Sequence, residues 1–381
     1  MDSLHITQLD LPPGMIDLGV GQPGQALLPL ALLRKAAASR LAGNDAPFLA
    51  YGAEQGDGYF RSALAGFLSE QYHAPVDADQ LFVTASASMG LDLLCTLFAR
   101  PGDTIFVEEP SYFLALRIFT DHHLKIISLP LDEDGLIIEV FEEKLSRHNP
   151  IFLYTVPTFH NPSSVTLTAE RREQLVKLSR KYNFLIIADE VYHLLNYAID
   201  TPPPPMASFI GSDTILSLGS FSKIMAPGLR LGWIQTGPQS LKRIIGCGLL
   251  DSGGGLNPFT SALMRSAIEM GLQHNQLTTL KITYTERKIA LSNALKEYLP
   301  DTVRFIEPGG GFFIWLVFPE GLDTEQMHVE ARRNNVGYLP GVKFSSARKL
   351  KNCARLSFSY FDIPQLEEGA KRLADVIRGN L

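Results

Sequence analysis

Between Ser220 and Trp233 the chain reads Ser-Phe-Ser-Lys-Ile-Met-Ala-Pro-Gly-Leu-Arg-Leu-Gly-Trp, directly after the strand-like run Thr214-Ile215-Leu216-Ser217. Two hydroxyls, a lysine and an arginine in a glycine-punctuated turn suit an anionic ligand held beside an amine nucleophile. Ser86-Ala87-Ser88 runs off another strand pattern into the helical stretch Gly90 to Phe98. The free amides there can bind phosphate, or Ser86 can simply cap the helix. Asp189 ends the most apolar strand, Phe184 to Ala188, and a carboxylate in that position is costly unless it is paired. Arg355 lies among small and apolar neighbours in Ala354-Arg355-Leu356-Ser357. Its planar fork matches a carboxylate, although an arginine in a strand can also be a solvated edge residue.

Taken together, and in this order along the chain, these segments resemble the class I and II aminotransferases, a family of fold type I pyridoxal-phosphate enzymes. The resemblance runs from Gly21 to the final helix and rests most heavily on the Ser220–Trp233 string. It implies that Lys223 is the Schiff-base lysine and proton shuttle for pyridoxal 5'-phosphate. Ala87, Ser88, Ser220, Ser222 and Arg230 would hold the cofactor phosphate. Tyr112, in Glu109-Pro110-Ser111-Tyr112, would stack on the ring, and Asn161 and Tyr192 would bond its phenolic oxygen. Asp189 would pair with the ring nitrogen, and Glu190 is a structural neighbour. Arg355, Asn161 and Gly21 would bind the substrate, with Pro308–Phe313 and Gly21-Gln22-Pro23 closing over it. Tyr51 would reach the phosphate of a neighbouring subunit, so a homodimer with shared active sites is expected. Ser86 and Ser164 stand where the family often has glycine.

The activity so implied is transfer of an amino group from an L-amino acid to a 2-oxo acid in two half-reactions. The same lysine chemistry also serves lyases and cyclases, and some regulators carry a non-catalytic domain of this kind fused to a DNA-binding module. This sequence opens almost directly into the Gly21 motif, so no such module is expected. Residues 19–33 contain no Lys or Arg, which disfavours a dicarboxylate donor and points to aromatic, aliphatic or broad amino acid specificity.

The elements that must position these residues alternate from about residue 57 to 240. Strands are expected at 81–84, 104–107, 124–127, 151–154, 184–187 and 214–217, with helices such as Thr168 to Tyr182 between them. That alternation predicts an α/β fold. Its large lobe is a mainly parallel sheet of the seven-stranded type covered by helices, and a smaller α+β lobe is built from both chain ends. The large cofactor-binding domain is placed at 45–275, the small domain at 1–44 and 276–381. A long helical region, Asn257 to Tyr298, should break near Gly271. Beyond it come strands at 304–306, 312–318, 336–339 and 354–358 and helices at 323–333 and 363–378. Gly253-Gly254-Gly255 reads as a flexible loop.

A length of 381 residues accommodates two lobes. The net charge of −6, with scattered Lys and Arg, argues against nucleic acid. Three well-separated cysteines and nine histidines without ligand spacing indicate neither disulfides nor a metal site. Met1 to His5 lack the blocks of a signal peptide, and the longest apolar run, Phe312 to Phe318, is too short to span a bilayer. A cytoplasmic protein without membrane partners is expected.

Overall fold

The computed structural model describes residues 7–43, 46–198 and 201–380. Met1 to His5 and the expected division at Asn44 and Asp45 lie outside them. The strands in chain order are β1 (Ile16–Asp17), β2 (Leu81–Thr84), β3 (Thr104–Glu109), β4 (Lys125–Asp132), β5 (Gly135–Leu136), β6 (Phe152–Thr155) and β7 (Leu185–Asp189). There follow β8 (Ile215–Ser220), β9 (Gly232–Thr236), β10 (Phe313–Val317), β11 (Val336–Gly337), β12 (Leu339–Pro340) and β13 (Cys353–Ser357).

The main sheet has the order β2-β9-β8-β7-β6-β3-β4-β5. Strands β3, β4, β6, β7 and β8 run parallel, and β9 lies antiparallel between β8 and β2. The expected seven strands are extended at one edge by the two-residue β5. Alternate residues along β3, β6 and β7 enter different cores. Ile105, Val107, Phe152, Tyr154 and Ile187 belong to one apolar cluster, and Phe106, Leu153, Ile186 and Ala188 belong to the other. Helices Ala87–Phe98 and Phe113–Asp121 feed the first, while Ile138–Leu145 and Ala169–Tyr182 feed the second. Successive side chains of a strand point to opposite faces, so nearly continuous apolar strands require cover on both.

The parallel strands end in Thr84, Glu109, Thr155, Asp189 and Ser220. Their carboxyl ends therefore lie along one edge of the sheet, where ligands of open α/β sheets bind. Opposite that edge stands a second, antiparallel sheet, β10-β13-β12. The N-terminal β1 pairs in parallel with β11, so both ends of the chain meet there. Helix Leu272–Tyr298 packs against the terminal helix Ile363–Asn380. Gly271, at φ 70°, separates it from helix Pro258–Glu269, at the expected break.

Three sequence expectations are corrected. Arg304 to Ile306 form no strand; Arg304 makes a single bridge to Val317. The run 336–339 divides between two sheets as β11 and β12 around Tyr338, whose buried hydroxyl donates to the Thr324 carbonyl at 2.7 Å. Gly253 ends a short helix, Gly248–Gly253, and Gly255 is packed rather than free. A Cβ on Gly255 would stand 1.8 Å from the Ala53 carbonyl oxygen.

Behind the carboxyl ends of the strands, Arg172 is fully buried and holds several loops at once. It donates to the carbonyls of Leu167 (2.9 Å), Pro204 (2.9 Å) and Pro157 (2.8 Å) and to the Thr158 hydroxyl (2.9 Å), with Glu190 Oε1 4.0 Å away. Removing one member of a buried ion pair leaves the other uncompensated. Arg172→Met should therefore cost about 3–5 kcal/mol, read as a lower denaturant midpoint; an unchanged midpoint would contradict this account.

Candidate active site

Strand register assembles the site. Ser220 on β8 pairs with Gly232 on β9, and Gly232 pairs with Thr84 on β2. This row brings the Ser220–Lys223 turn beside the turn that opens helix Ala87–Phe98. Ser86 caps that helix through its side chain, which accepts from the Met89 amide at 3.3 Å. Ser86 has φ 101°, in the left-handed half of backbone space, where the family often places glycine. Ala87 and Ser88 therefore present first-turn amides, which have no partner within a helix. The Ser220 hydroxyl donates to Ser222 Oγ at 3.0 Å and accepts from the Ser222 amide at 3.1 Å. Arg230 is exposed in left-handed conformation at φ 45°, and its carbonyl accepts from the Asn257 side chain.

Lys223 is the centre of the arrangement. Its Nζ donates to the Gly21 carbonyl at 3.2 Å and lies 5.9 Å from the Tyr192 ring centre and 5.6 Å from that of Phe312. Burial and the positive charge of Arg355 lower its pKa to about 8, against the pull of Asp189. Burial raises the Asp189 carboxyl to about 6, opposed by the Tyr154 hydroxyl and by Lys223. Tyr154 donates to Asp189 Oδ2 at 2.8 Å, and Asp189 Oδ1 is buried with no hydrogen-bond partner.

Two other carboxylates at the strand ends are saturated. Glu190 accepts from the amides of Met206 (2.8 Å) and Ala207 (3.1 Å) and from the Ser217 hydroxyl (2.7 Å). Its expected place as a structural neighbour agrees with that set. Glu108 accepts from Thr155 Oγ1 at 2.5 Å and from the Val156 amide at 2.9 Å.

Arg355 enters from β13. Its Nη1 donates to Asn161 Oδ1 at 2.9 Å and its Nη2 to the Gly19 carbonyl at 2.8 Å, while Nε is buried without a partner. The guanidinium lies 4.0 Å from the Phe313 ring centre and 5.1 Å from that of Phe344. Burial lowers its pKa to about 10. Gly21 is required by close approach, since a Cβ there would stand 2.9 Å from the Phe313 ring and 3.3 Å from Arg355 Nη2. Tyr112, half-buried at the start of helix Phe113–Asp121, has its hydroxyl pushed up to about 12 by burial and by Asp189. Asn161 also neighbours Tyr192, whose hydroxyl pKa burial raises well above the usual value. Ser164 adopts φ 66°, so the loop keeps a glycine-like turn, and its hydroxyl donates to the Phe313 carbonyl at 2.6 Å.

Lys223, Asp189, Tyr112, Asn161, Tyr192, Arg355 and Gly21 thus converge, with Ser220, Ser222, Ala87, Ser88 and Arg230 at one side. Tyr51 does not join them: it is 88% exposed on the surface of the chain. Tyr154, Glu108, His160, Arg172 and Phe344 carry contacts that sequence reading passed over. A tyrosine ending a buried strand next to the Asp189 strand was the available signal for Tyr154. Among the described residues no group of three His, Cys, Asp or Glu could hold a metal ion, and no helix is long and apolar enough to cross a membrane.

The family model for aminotransferase class I and II matches residues 13–373. The chain is 34% identical to aromatic-amino-acid aminotransferase 1 of Thermococcus litoralis, over 96% of this chain and 88% of that protein. It superposes with a TM-score of 0.91 on the multiple substrate aminotransferase of Thermococcus profundus, at 33% identity over 97% of this chain and 92% of the other. The same score is reached with the kynurenine aminotransferase of Pyrococcus horikoshii in complex with PMP, at 31% identity over 97% and 92% of the two chains. The residues fit a pyridoxal-phosphate cofactor. An unspent carboxylate oxygen on Asp189 suits a protonated ring nitrogen, a part-buried lysine suits a carbonyl, and a helix terminus flanked by Ser220, Ser222 and Arg230 suits a phosphate. The chain belongs to the class I and II aminotransferases and is a pyridoxal-phosphate-dependent transaminase.

Proposed function

We propose that the protein moves an amino group from an aromatic or aliphatic L-amino acid to a 2-oxo acid by a ping-pong sequence centred on Lys223. The observation that carries this reading is the convergence of the Lys223 amine and the Arg355 fork on the Gly19–Gly21 backbone, with Asp189 keeping one oxygen free. Bound pyridoxal phosphate supplies a carbonyl that condenses with amines and a ring that stores the electron pair released at the α-carbon. Ala87, Ser88, Ser220, Ser222 and Arg230 would hold its phosphate. Tyr112 would cover the ring, Asp189 would face the ring nitrogen, and Asn161 and Tyr192 would bond the phenolic oxygen.

The chain's own groups divide the remaining work. Arg355 pairs with the substrate carboxylate while Asn161 and Gly19 hold its fork in place. Lys223, with its pKa near 8, is partly neutral at physiological pH and can take the α-proton and return it two bonds away, across the amino nitrogen. Pro308 to Phe313 and Gly21 to Pro23 wall the site, which limits access of water. The rings of Phe113, Phe313 and Phe344 around Arg355 support an apolar substrate side chain. So does the lack of Lys and Arg in residues 19–33, and the named relatives are consistent with it.

This reading extends to assembly and place. The bare Tyr51 ring, with Tyr59 at 72% and Leu49 at 65% exposure, supports a homodimer in which Tyr51 reaches the partner's site. The division into 45–275 and the two chain ends, and a cytoplasmic location, belong to the same proposal. Helix Leu272–Tyr298 would pass from one lobe into the other.

Adding an amino acid alone to the holoenzyme should replace the cofactor's visible absorption by a near-ultraviolet band, and a 2-oxo acid should restore it. Phenylalanine or leucine should act at lower concentration than aspartate, and Lys223→Ala should abolish the cycle. Ammonia release without that reversal would move the assignment to a lyase. Arg355→Ala should lower kcat/KM for amino acids by about a hundredfold or more, as expected from loss of a charged bidentate contact, with cofactor content unchanged. Equal rates on amines lacking the carboxylate, relative to wild type, would remove the clamp role. In the cofactor-free protein, Asp189 has its pKa raised from 3.8 to about 6. The folded state then binds more protons than the unfolded state between those values, so the stability it contributes is lost as pH rises through that window. Urea unfolding across the window should show this fall, and Asp189→Asn should flatten it.

A further inference from the structure

Glu108 and His160 take no part in the chemistry proposed above, yet both are buried, at 2% and 1% exposure, immediately behind Asn161. The backbone and one ring nitrogen of His160 are hydrogen-bonded. Its backbone amide donates to the Val165 carbonyl at 2.9 Å and its carbonyl accepts from the Ser164 amide at 2.7 Å. Ring atom Nδ1 accepts from the Ser163 amide at 3.3 Å and contacts the Ser163 hydroxyl at 2.8 Å. A backbone amide can only donate, so Nδ1 carries no proton and the ring proton sits on Nε2. Nε2 stands 3.1 Å from Glu108 Oε2, close in distance though not aligned as a full hydrogen bond.

Glu108 is held equally firmly from the sheet. Thr155 Oγ1 and the Val156 amide donate to its two oxygens, and Glu108 lies on the strand that leads to Tyr112. The next residue after His160 is Asn161, whose Oδ1 accepts from Arg355 and whose side chain lies beside Tyr192. The chain of contact is therefore Glu108 to His160 to the Asn161 backbone, and from there to both the Arg355 fork and the Tyr192 hydroxyl.

We infer that Glu108 and His160 are positioning residues that fix Asn161, and through it set the orientation of Arg355 and Tyr192 for the transfer reaction. A carboxylate with one donor on each oxygen and the His160 ring nitrogen 3.1 Å away, seated in the sheet, gives the Asn161 loop a rigid reference that the loop lacks by itself. This inference rests on the proposed function for its meaning, but its geometry is read through carboxylate binding alone.

The test uses holoenzyme and 3-phenylpropanoate, a carboxylate without an amino group, with binding followed by calorimetry. His160→Phe removes both ring contacts. His160→Gln keeps an N–H that can point at Glu108, and Glu108→Gln keeps the shape of the carboxylate but turns one acceptor into a donor. We expect His160→Phe and Glu108→Gln to weaken 3-phenylpropanoate about tenfold, the loss typical of a displaced hydrogen bond to a charged group. Both should shift the pH midpoint of the cofactor's visible band, with cofactor content retained. His160→Gln should recover affinity to within about threefold of wild type. Unchanged affinity and midpoint in either His160→Phe or Glu108→Gln overturn the inference, as does His160→Gln as impaired as His160→Phe. If His160→Phe does not fold, Glu108→Gln and His160→Gln decide the matter by the same readouts. A wild-type protein that binds 3-phenylpropanoate but transfers no amino group would refute the proposed function separately.

Discussion

A carboxylate buried at the end of an apolar strand has to find donors, and how fully it finds them decides what it is for. This sheet ends in three such groups. Glu108 and Glu190 are surrounded by hydroxyls, backbone amides, His160 and Arg172, so their acceptor capacity is spent inside the protein. Asp189 receives the Tyr154 hydroxyl on Oδ2 and has the Val191 amide close by, while Oδ1 is left buried without a hydrogen bond. The cost of that open oxygen appears in the upward displacement of its carboxyl toward about 6. A cationic ring nitrogen placed there would remove it.

The same contrast runs across the cleft. Arg355 is stacked on aromatic rings and tethered by Asn161 and Gly19, yet its Nε remains without a partner. Lys223 is held against Gly21 rather than in a salt bridge, which keeps its amine available. The saturated groups stand behind the open ones and fix their directions. Rigidity and reactivity are thereby assigned to neighbouring residues of the same strand ends, Asp189 beside Glu190 and Asn161 beside His160.

Much of this was readable in the residues. The alternation of strands and helices gave the main sheet, and the Ser220–Trp233 string led to Lys223 and Arg230 because a hydroxyl, a lysine and an arginine share one short turn. Ser86 and Ser164 illustrate where reading by residue type stops. Each stands in place of glycine yet adopts a positive φ, supported by bonds to the Met89 amide and the Phe313 carbonyl that only the folded chain supplies. Tyr154, Glu108 and Arg172 escaped notice because their partners are distant in sequence. The split of 336–339 into β11 and β12 escaped for the same reason, since register across sheets is a tertiary matter. Tyr51 lies exposed and joins no site within this chain.

The pairing of β1 with β11 has a consequence for the order in which the protein is made. Ile16 and Asp17 leave the ribosome more than 300 residues before their partners Val336 and Gly337. The backbone of Gly19 and Gly21, which anchors Arg355 and Lys223, follows directly from that strand. The main sheet can close while synthesis proceeds, since its strands lie between residues 81 and 236. The wall of the cleft cannot, because its first piece must wait for its last. A nascent chain therefore carries a finished floor and an unfinished mouth until Val336 and Gly337 have emerged.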